Sequence, residues 1–490
     1  MKTIVKTRTP NLSFVLGIAL LGACGGSDKP PPADGAPPDA SSDVAAPDAT
    51  GDTSGDLGRD GGDAGAPDAM GSDGGTNTTP ITERPSRGTY TCRVERPRTD
   101  HTPRYWQSLP GLVTTTAGTA QFLRSEAMTE NPIFPVMPKL TLGTMGKDGS
   151  FGPPSVVAEV AGEVGSISAA PRADGLAAIW IEGTKLRFAA FDANSALVVA
   201  PKDIATGVDV QSPPKLAGGP AGGFGVLYAT AAGFTNREVH FLALDADGMA
   251  KAPARRIDQA QVATGFIPQA AFSLAGGATG YAMIWRALGE ARGGIDFAKA
   301  GADGSEVIAR RRISLTNQMG HDVGGGAGFE SPTTALLETA SGYIAAWPEV
   351  RQSMSFDGGA WATVNLVRVS AEGGRQGTPV PLRTYVDSID EVEPSLIRFG
   401  DAVGVLWARG KHIYICAGCV PDHRIDLLLI DPADLTPVSN LVSVLPVSAA
   451  KGGGLLRRQV AVLGSSILTT FDTTFHVHHT STSATFACER

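Results

Sequence analysis

The densest chemistry in the chain lies in one short stretch, His412-Ile-Tyr-Ile-Cys416-Ala-Gly-Cys419-Val-Pro-Asp-His423. Two thiolates and two imidazoles make a tetrahedral zinc donor set, so His412, Cys416, Cys419 and His423 form a candidate metal site. The same C-x-x-C spacing suits a small-loop disulfide or redox exchange. No His follows Cys419 directly, so the haem-attachment pattern C-x-x-C-H is not met, and no cofactor is expected. A second cluster is His476-Val-His478-His479. On a strand, His476 and His478 share one face and His479 takes the other, which leaves half a metal site. No carboxylate stands at a matching spacing, so these read as ordinary strand residues. Signatures of nucleophile elbows, zinc peptidases, P-loops and sialidase-type Asp-boxes are absent.

The elements that must position these groups follow from a repeat. The phrase Gly223-Phe-Gly-Val-Leu-Tyr228 returns as Gly175–Trp180, Gly280–Trp285 and Gly342–Trp347, and with Ala for Gly as Ala402–Trp407. Such runs, led by a small residue and closed by an aromatic, are too short for helices and read as buried strands. A Pro-led run precedes each phrase (Pro214, Pro268, Pro332, Pro394), as suits the first residue of a strand. A third apolar run follows, as in Val239–Leu244 or Ile425–Ile430. It ends in an Asp/Gly turn such as Asp245-Ala-Asp-Gly248 or Gly301-Ala-Asp-Gly304. A charged fourth run closes the unit, for example Arg310-Arg311-Arg312, expected to be a solvated outer strand.

Four strands at a period of about 50–60 residues predict an all-β chain folded as a β-propeller. Phrases near Thr119, Gly175, Gly223, Gly280, Gly342, Ala402 and Ser466 predict seven four-stranded blades, or six if one degenerate unit is a closing strand. The first unit (Gly111 to Ala161) and the last (Leu455 to Arg490) depart most from the pattern. The aromatic phrase-enders Tyr228, Trp285, Trp347 and Trp407 are expected to pack between blades.

The N-terminus is of another kind. Lys2, Lys6 and Arg8 precede an apolar stretch, Leu12 to Leu21, that is too short to span a bilayer, which predicts a signal peptide over 1–23. It runs into Leu21-Gly22-Ala23-Cys24, which resembles the lipobox of bacterial lipoproteins. That resemblance implies cleavage before Cys24 and its modification by acyl chains such as palmitate, giving a lipid anchor to a membrane. Gly25 stands where Asp would signal inner-membrane retention, which by the same resemblance implies the outer membrane, on its periplasmic or its surface side. Residues 24–87 are rich in Asp, Gly, Ala, Pro and Ser, with no aromatic between Gly25 and Thr79. Such a tether cannot bury a core and is expected to be disordered, reaching about 40 Å or more. Its eleven Asp oppose only Lys29 and Arg59, a balance of −9 that leaves residues 81–490 at −2. The globular part, 88–490, is near neutral and carries no nucleic-acid footprint. In composition the tether is similar to those of predicted myxobacterial surface lipoproteins.

With Cys24 lipidated, four of the five Cys remain in an oxidising setting, which favours disulfides. Cys92 begins the folded region and Cys488 nearly ends it, so a Cys92–Cys488 bond would lock the ends of the ring. Cys416 and Cys419 are expected to form the second pair, with metal as the alternative. Insertions near 285–294, 347–362 and 407–424 project from one face and carry Glu290, Arg292, Glu349, Arg351, Trp361, His412, Tyr414 and Asp422. The candidate binding face is Glu349, Arg351, Trp361, Tyr414 and Asp422. The expected function is non-enzymatic: a cell-envelope module that binds or scaffolds a protein or surface glycan. The alternatives are an exported hydrolase or lyase with a site on the propeller axis, and a metal- or redox-linked protein using the Cys416/Cys419 loop.

Overall fold

The structure is a computed structural model that describes residues 79–490 apart from 96–97, 105–110, 116–117, 127–138, 161–163, 233–235, 262–270, 288–293, 316–333, 353–359, 384–388, 412–423, 445–453 and 476–477. It is a β-propeller of seven blades. Two strands, β1 (Thr91–Val94) and β2 (Arg98–Arg104), precede the first blade. Blade I is β3 (Gly111–Thr114), β4 (Ala120–Glu126), β5 (Lys139–Met145) and β6 (Ser155–Glu159). Blade II is β7 (Val164–Arg172), β8 (Gly175–Glu182), β9 (Lys185–Asp192) and β10 (Leu197–Thr206). Blade III is β11 (Lys215–Gly218), β12 (Phe224–Ala232), β13 (Asn236–Leu244) and β14 (Arg255–Gln261). Blade IV is β15 (Phe272–Gly277), β16 (Gly280–Arg286), β17 (Ile295–Gly301) and β18 (Glu306–Arg312). Blade V is β19 (Ala335–Thr339), β20 (Gly342–Gln352), β21 (Ala360–Ser370) and β22 (Arg375–Pro381). Blade VI is β23 (Ile389–Phe399), β24 (Ala402–Lys411), β25 (Arg424–Ile430) and β26 (Val442–Val444). Blade VII has β27 (Gly454–Leu463), β28 (Ser466–Phe475) and β29 (His478–Glu489), and its outer position is filled by β1 and β2, both paired with β29. The innermost strands β3, β7, β11, β15, β19, β23 and β27 neighbour one another in that order, and β27 meets β3.

Each recurring phrase is the second strand of a blade. Its leading glycine is required by close approach: a Cβ at Gly280 would stand 2.1 Å from the Ala300 carbonyl, and one at Gly342 2.2 Å from that of Val369. Both also have positive φ, +149° and +138°. The closing aromatics fill the spaces between blades. Trp180, Trp285 and Trp407 are among the largest fully buried side chains, each contributing about 2–3 kcal/mol from area alone. Between blades III and IV, for instance, Phe241 packs on Tyr281 at 5.5 Å in a cluster that includes Trp285.

The Asp/Gly turns join third to fourth strands, and each also clasps the preceding blade. The Asp245 carboxylate accepts from the Asp247 and Met249 amides, closing the turn. Carbonyls of these turns then accept from the neighbour: Asp247 from Lys202, Ala302 from Lys251 at 3.1 Å, and Ala433 from Arg368. Gly149, the turn glycine of blade I, likewise accepts from Ser483 of blade VII at 2.5 Å.

One expectation is corrected. Pro394 does not begin a strand. It lies inside β23, where the ladder to β24 slips between Val392 and Ser395, and this bulge excuses its missing N–H. The outer strand β18 is solvated, with five of its seven residues exposed. From it Arg310 and Arg312 reach Asp296, because a buried carboxylate requires a cation.

The Cys92–Cys488 disulfide is present. It joins directly paired residues of β1 and β29, so it acts within blade VII, where the N-terminal strand completes the last sheet.

Candidate functional site

In an up-and-down blade, second-to-third and fourth-to-next-first connections leave at the same end. On that face the chain spends 127–138, 287–294 and 412–423 within blades, and 207–214, 262–271 and 313–334 between them. The opposite face has tight first-to-second turns at 173–174, 278–279, 340–341, 400–401 and 464–465. The predicted insertions of blades IV, V and VI lie on the long-connection face. Those at 127–138 and 313–334 were not anticipated.

The expected face residues divide. Glu349 is buried, 7% exposed, and accepts from Asn365 Nδ2 at 2.6 Å, so its carboxylate works inside blade V. Arg351 and Trp361 are cross-strand partners near the outer end of the β20–β21 hairpin, on the long-connection face. Tyr414 and Asp422 lie outside the described residues, as do Glu290, Arg292, His476 and the whole set His412, Cys416, Cys419 and His423. His478 and His479 open β29, opposite Phe475 and Thr474. Among the described residues, no three His, Cys, Asp or Glu side chains are grouped as metal ligands.

The axis holds a cavity of about 620 Å³ lined by the innermost strands of all seven blades. Much of its hydroxyl chemistry is committed to joining those strands. Thr114 Oγ1 donates to the Val462 carbonyl at 2.5 Å, Ser168 Oγ accepts from the Leu216 amide at 3.0 Å, and Ser273 Oγ accepts from Thr334 Oγ1 at 3.2 Å. The ionisable residues of the lining are Lys215, Glu393 and Arg398. Arg398 donates to the Glu338 carbonyl at 2.8 Å. Glu393 is the single carboxylate of the lining among the described residues. It sits in the β23 bulge with φ of 52°, just before Pro394, a left-handed conformation that costs roughly 1–2 kcal/mol.

A tier of polar residues underlies the long-connection face. Opposite each phrase-ending aromatic, on the same side of the sheet, the third strand places a polar residue. The pairs are Trp180↔Arg187, Tyr228↔His240, Trp285↔Asp296, Trp347↔Asn365 and Trp407↔Asp426. Sequence reasoning missed this tier. Its signal was one polar residue near the start of each third apolar run, as in Ile295-Asp296-Phe297 and Ile425-Asp426-Leu427.

The tier is densest between blades III and IV. Asp296 meets Arg310 at 2.6 Å and Arg312 at 2.7 Å. Asp258, on β14, meets Arg310 at 2.8 Å and accepts from Trp285 Nε1 at 2.8 Å. Burial raises the Asp296 carboxyl above its ordinary range, against the pull of both arginines. In blade VI, Asp426 is fully buried beside Arg409 at 2.7 Å, close as an ion pair though not aligned as a hydrogen bond, and accepts from Ser443 at 2.5 Å. His240 stacks on Tyr228 at 5.3 Å, and burial lowers its pKa despite Glu238. The charged members of the tier pair with one another across and within blades.

No protein-family model matches the chain, and no curated protein matches it in sequence. Solved structures do align with it. A polysaccharide lyase, Uly1, aligns at 8% identity and a TM-score of 0.44, over 75% of this chain and 88% of the lyase. The α-L-arabinofuranosidase Arb93A from Fusarium graminearum aligns at 12% identity and a TM-score of 0.37, over 81% of this chain and 97% of that one. The core factor of S. cerevisiae aligns at 7% identity and a TM-score of 0.41, over 84% of this chain and 63% of its own. At these identities and scores, the likenesses carry no activity over to this chain.

Proposed function

We propose that the chain is an exported, lipid-anchored propeller that binds a protein or a surface glycan of the cell envelope through its long-connection face. The observation that carries this is the one-sidedness of the ring. One face has tight first-to-second turns and third-to-fourth turns clasped to the preceding blade, while the other carries the longest connection, 313–334, and the Arg351/Trp361 pair. The lipobox-like Leu21–Cys24 and the acidic tether support an anchor on the membrane side.

The test uses purified envelope and the soluble propeller. Arg351→Ala, Trp361→Ala and Tyr414→Ala together are expected to abolish retention. Protease treatment of the envelope distinguishes a protein ligand from a glycan, and retention unchanged in the triple variant would refute the face. Separately, Cys24→Ser is expected to abolish incorporation of labelled palmitate; continued labelling would refute the anchor.

A second reading, an exported hydrolase or lyase, is favoured by one observation: the strained Glu393 in the axial cavity, whose lining also includes Lys215. Two-carboxylate glycoside hydrolysis would need a second acid that the described lining lacks. Turnover of an envelope polysaccharide that is lost in Glu393→Gln would establish this reading over the first.

A further inference from the structure

Ahead of blade I, residues 79–94 cross from blade V to blade VII as a strap. Contacts with the ring therefore begin before the compositional boundary at residue 88. Ile81 is fully buried in the core shared by blades V and VI, with Leu382 and Val403. The Thr82 amide donates to the Leu382 carbonyl at 2.8 Å. Arg87 spans Asp431 and Asp434 at the blade VI turn, and its amide donates to the Pro437 carbonyl at 2.9 Å. The Tyr90 amide donates to the Val438 carbonyl at 2.8 Å, and its ring meets Phe399 edge-on at 5.7 Å.

The last contact is the informative one. Asn440 of blade VI holds both backbone groups of Cys92: its Oδ1 accepts from the Cys92 amide at 2.8 Å, and its Nδ2 donates to the Cys92 carbonyl at 2.9 Å. Cys92 is thus fixed to blade VI by its backbone and to blade VII by its sulfur. The two attachments are chemically independent, since one is a polar clamp and the other a covalent bond.

We infer that ring closure has two separate locks, the disulfide and the strap, and that either alone keeps blade VII shut. Reduction by itself does not open the ring. With the bond cleaved, Ile81, Arg87, Tyr90 and Asn440 hold the two thiols in register, buried and ready to re-form it. Loss of both locks frees β1 from β29 and uncovers Cys488, Phe486 and the blade VI/VII core.

Thiol labelling of the full chain tests this. Cys24→Ser, Cys416→Ser and Cys419→Ser leave Cys92 and Cys488 as the only thiols. A dithiol reductant supplies two electrons and two protons, becomes a cyclic disulfide, and yields two free thiols. After its removal, an aromatic disulfide reagent is added under native conditions. Slow labelling of the reduced chain is expected, with a rate at least tenfold higher when Ile81→Ala, Arg87→Ala and Asn440→Ala are added. Oxidised, this strap variant should resist proteolysis as the parent does. Val239→Ala, a core truncation in distant blade III, separates local opening from general destabilisation and should leave the labelling rate unchanged. Immediate labelling of the reduced parent would overturn the second lock. So would strap variants that label no faster, or an oxidised strap variant that is readily cleaved.

Discussion

Arg310→Met is the sharpest probe of the charge cluster between blades III and IV. Arg310 is shared by two carboxylates whose side chains are only 4% and 2% exposed, Asp258 and Asp296. Removing one partner of a buried pair costs roughly 3–5 kcal/mol, because the charge left behind is poorly solvated. Two features lower the figure here. The Arg310 side chain is 41% exposed, so water already screens it, and Arg312 still reaches Asp296 at 2.7 Å. A loss of about 2–3 kcal/mol at neutral pH is expected, read as a shift in the urea midpoint. The pH dependence has a definite sign. The Asp296 carboxyl lies above its ordinary pKa of 3.8 through burial, and losing a cation raises it further. The folded variant then takes up a proton before the unfolded chain does. The penalty is full above the folded pKa and shrinks as pH falls toward the unfolded value. Adding Asp258→Asn and Asp296→Asn should recover most of the loss at neutral pH, since no buried carboxylate then lacks a counterion. A loss below about 1 kcal/mol would refute the reasoning. So would one that the two Asn substitutions leave unchanged.

Gly276→Ala would set a Cβ 1.7 Å from the Gly218 carbonyl of the neighbouring innermost strand, so blades III and IV must part at the axis. It should lose about 3 kcal/mol or more, whereas Gly222→Ala, with φ of +74° and open space around it, should lose only about 1 in the same denaturation assay. Trp285→Phe gives up the hydrogen bond to Asp258, while the buried Trp407 Nε1 has no hydrogen-bond partner. The first change should therefore destabilise more than the second by about 1.5–3 kcal/mol, and equal midpoints would deny the bond its role. Tyr281 and Tyr343 are pushed up to about 12 by burial. Between an unfolded value of about 10 and that point the unfolded chain loses protons that the folded chain keeps, so stability falls as pH rises there. Tyr281→Phe should flatten that decline, and phenolate absorbance should show the two rings titrating last.

Much of the fold was legible because it repeats. Every second strand begins within a residue of a recognised phrase, from Ala120 through Ser466. The cysteine pair followed from ring geometry, since Cys92 and Cys488 flank the propeller sequence. What escaped was local departure from the repeat. The Pro394 bulge reads in sequence as one more strand start, and nothing in the letters Glu393-Pro394 announces a left-handed glutamate. The strap escaped because Ile81 is one apolar residue at the end of a tether of Asp, Gly and Pro, where composition outweighs it.

The burial of Glu349, in contrast, follows from strand alternation once Trp347 is placed. Residues two apart share a side of the sheet, and Trp347 faces the preceding blade, IV, so Glu349 does as well. The same parity makes Trp347 and Asn365, directly opposite each other, look into one interblade space, where Asn365 meets the carboxylate. Applied to blades II to VI, that rule accounts for the polar tier: an aromatic that must be buried carries its cross-strand partner in with it. A polar partner then has to find a counterpart inside, as Asp296 and Asp426 do with arginines. Charge at the ends of these strands is thus spent on holding blades together. Under the proposed binding role, ligand recognition would fall to groups beyond them, on the connections of the long face.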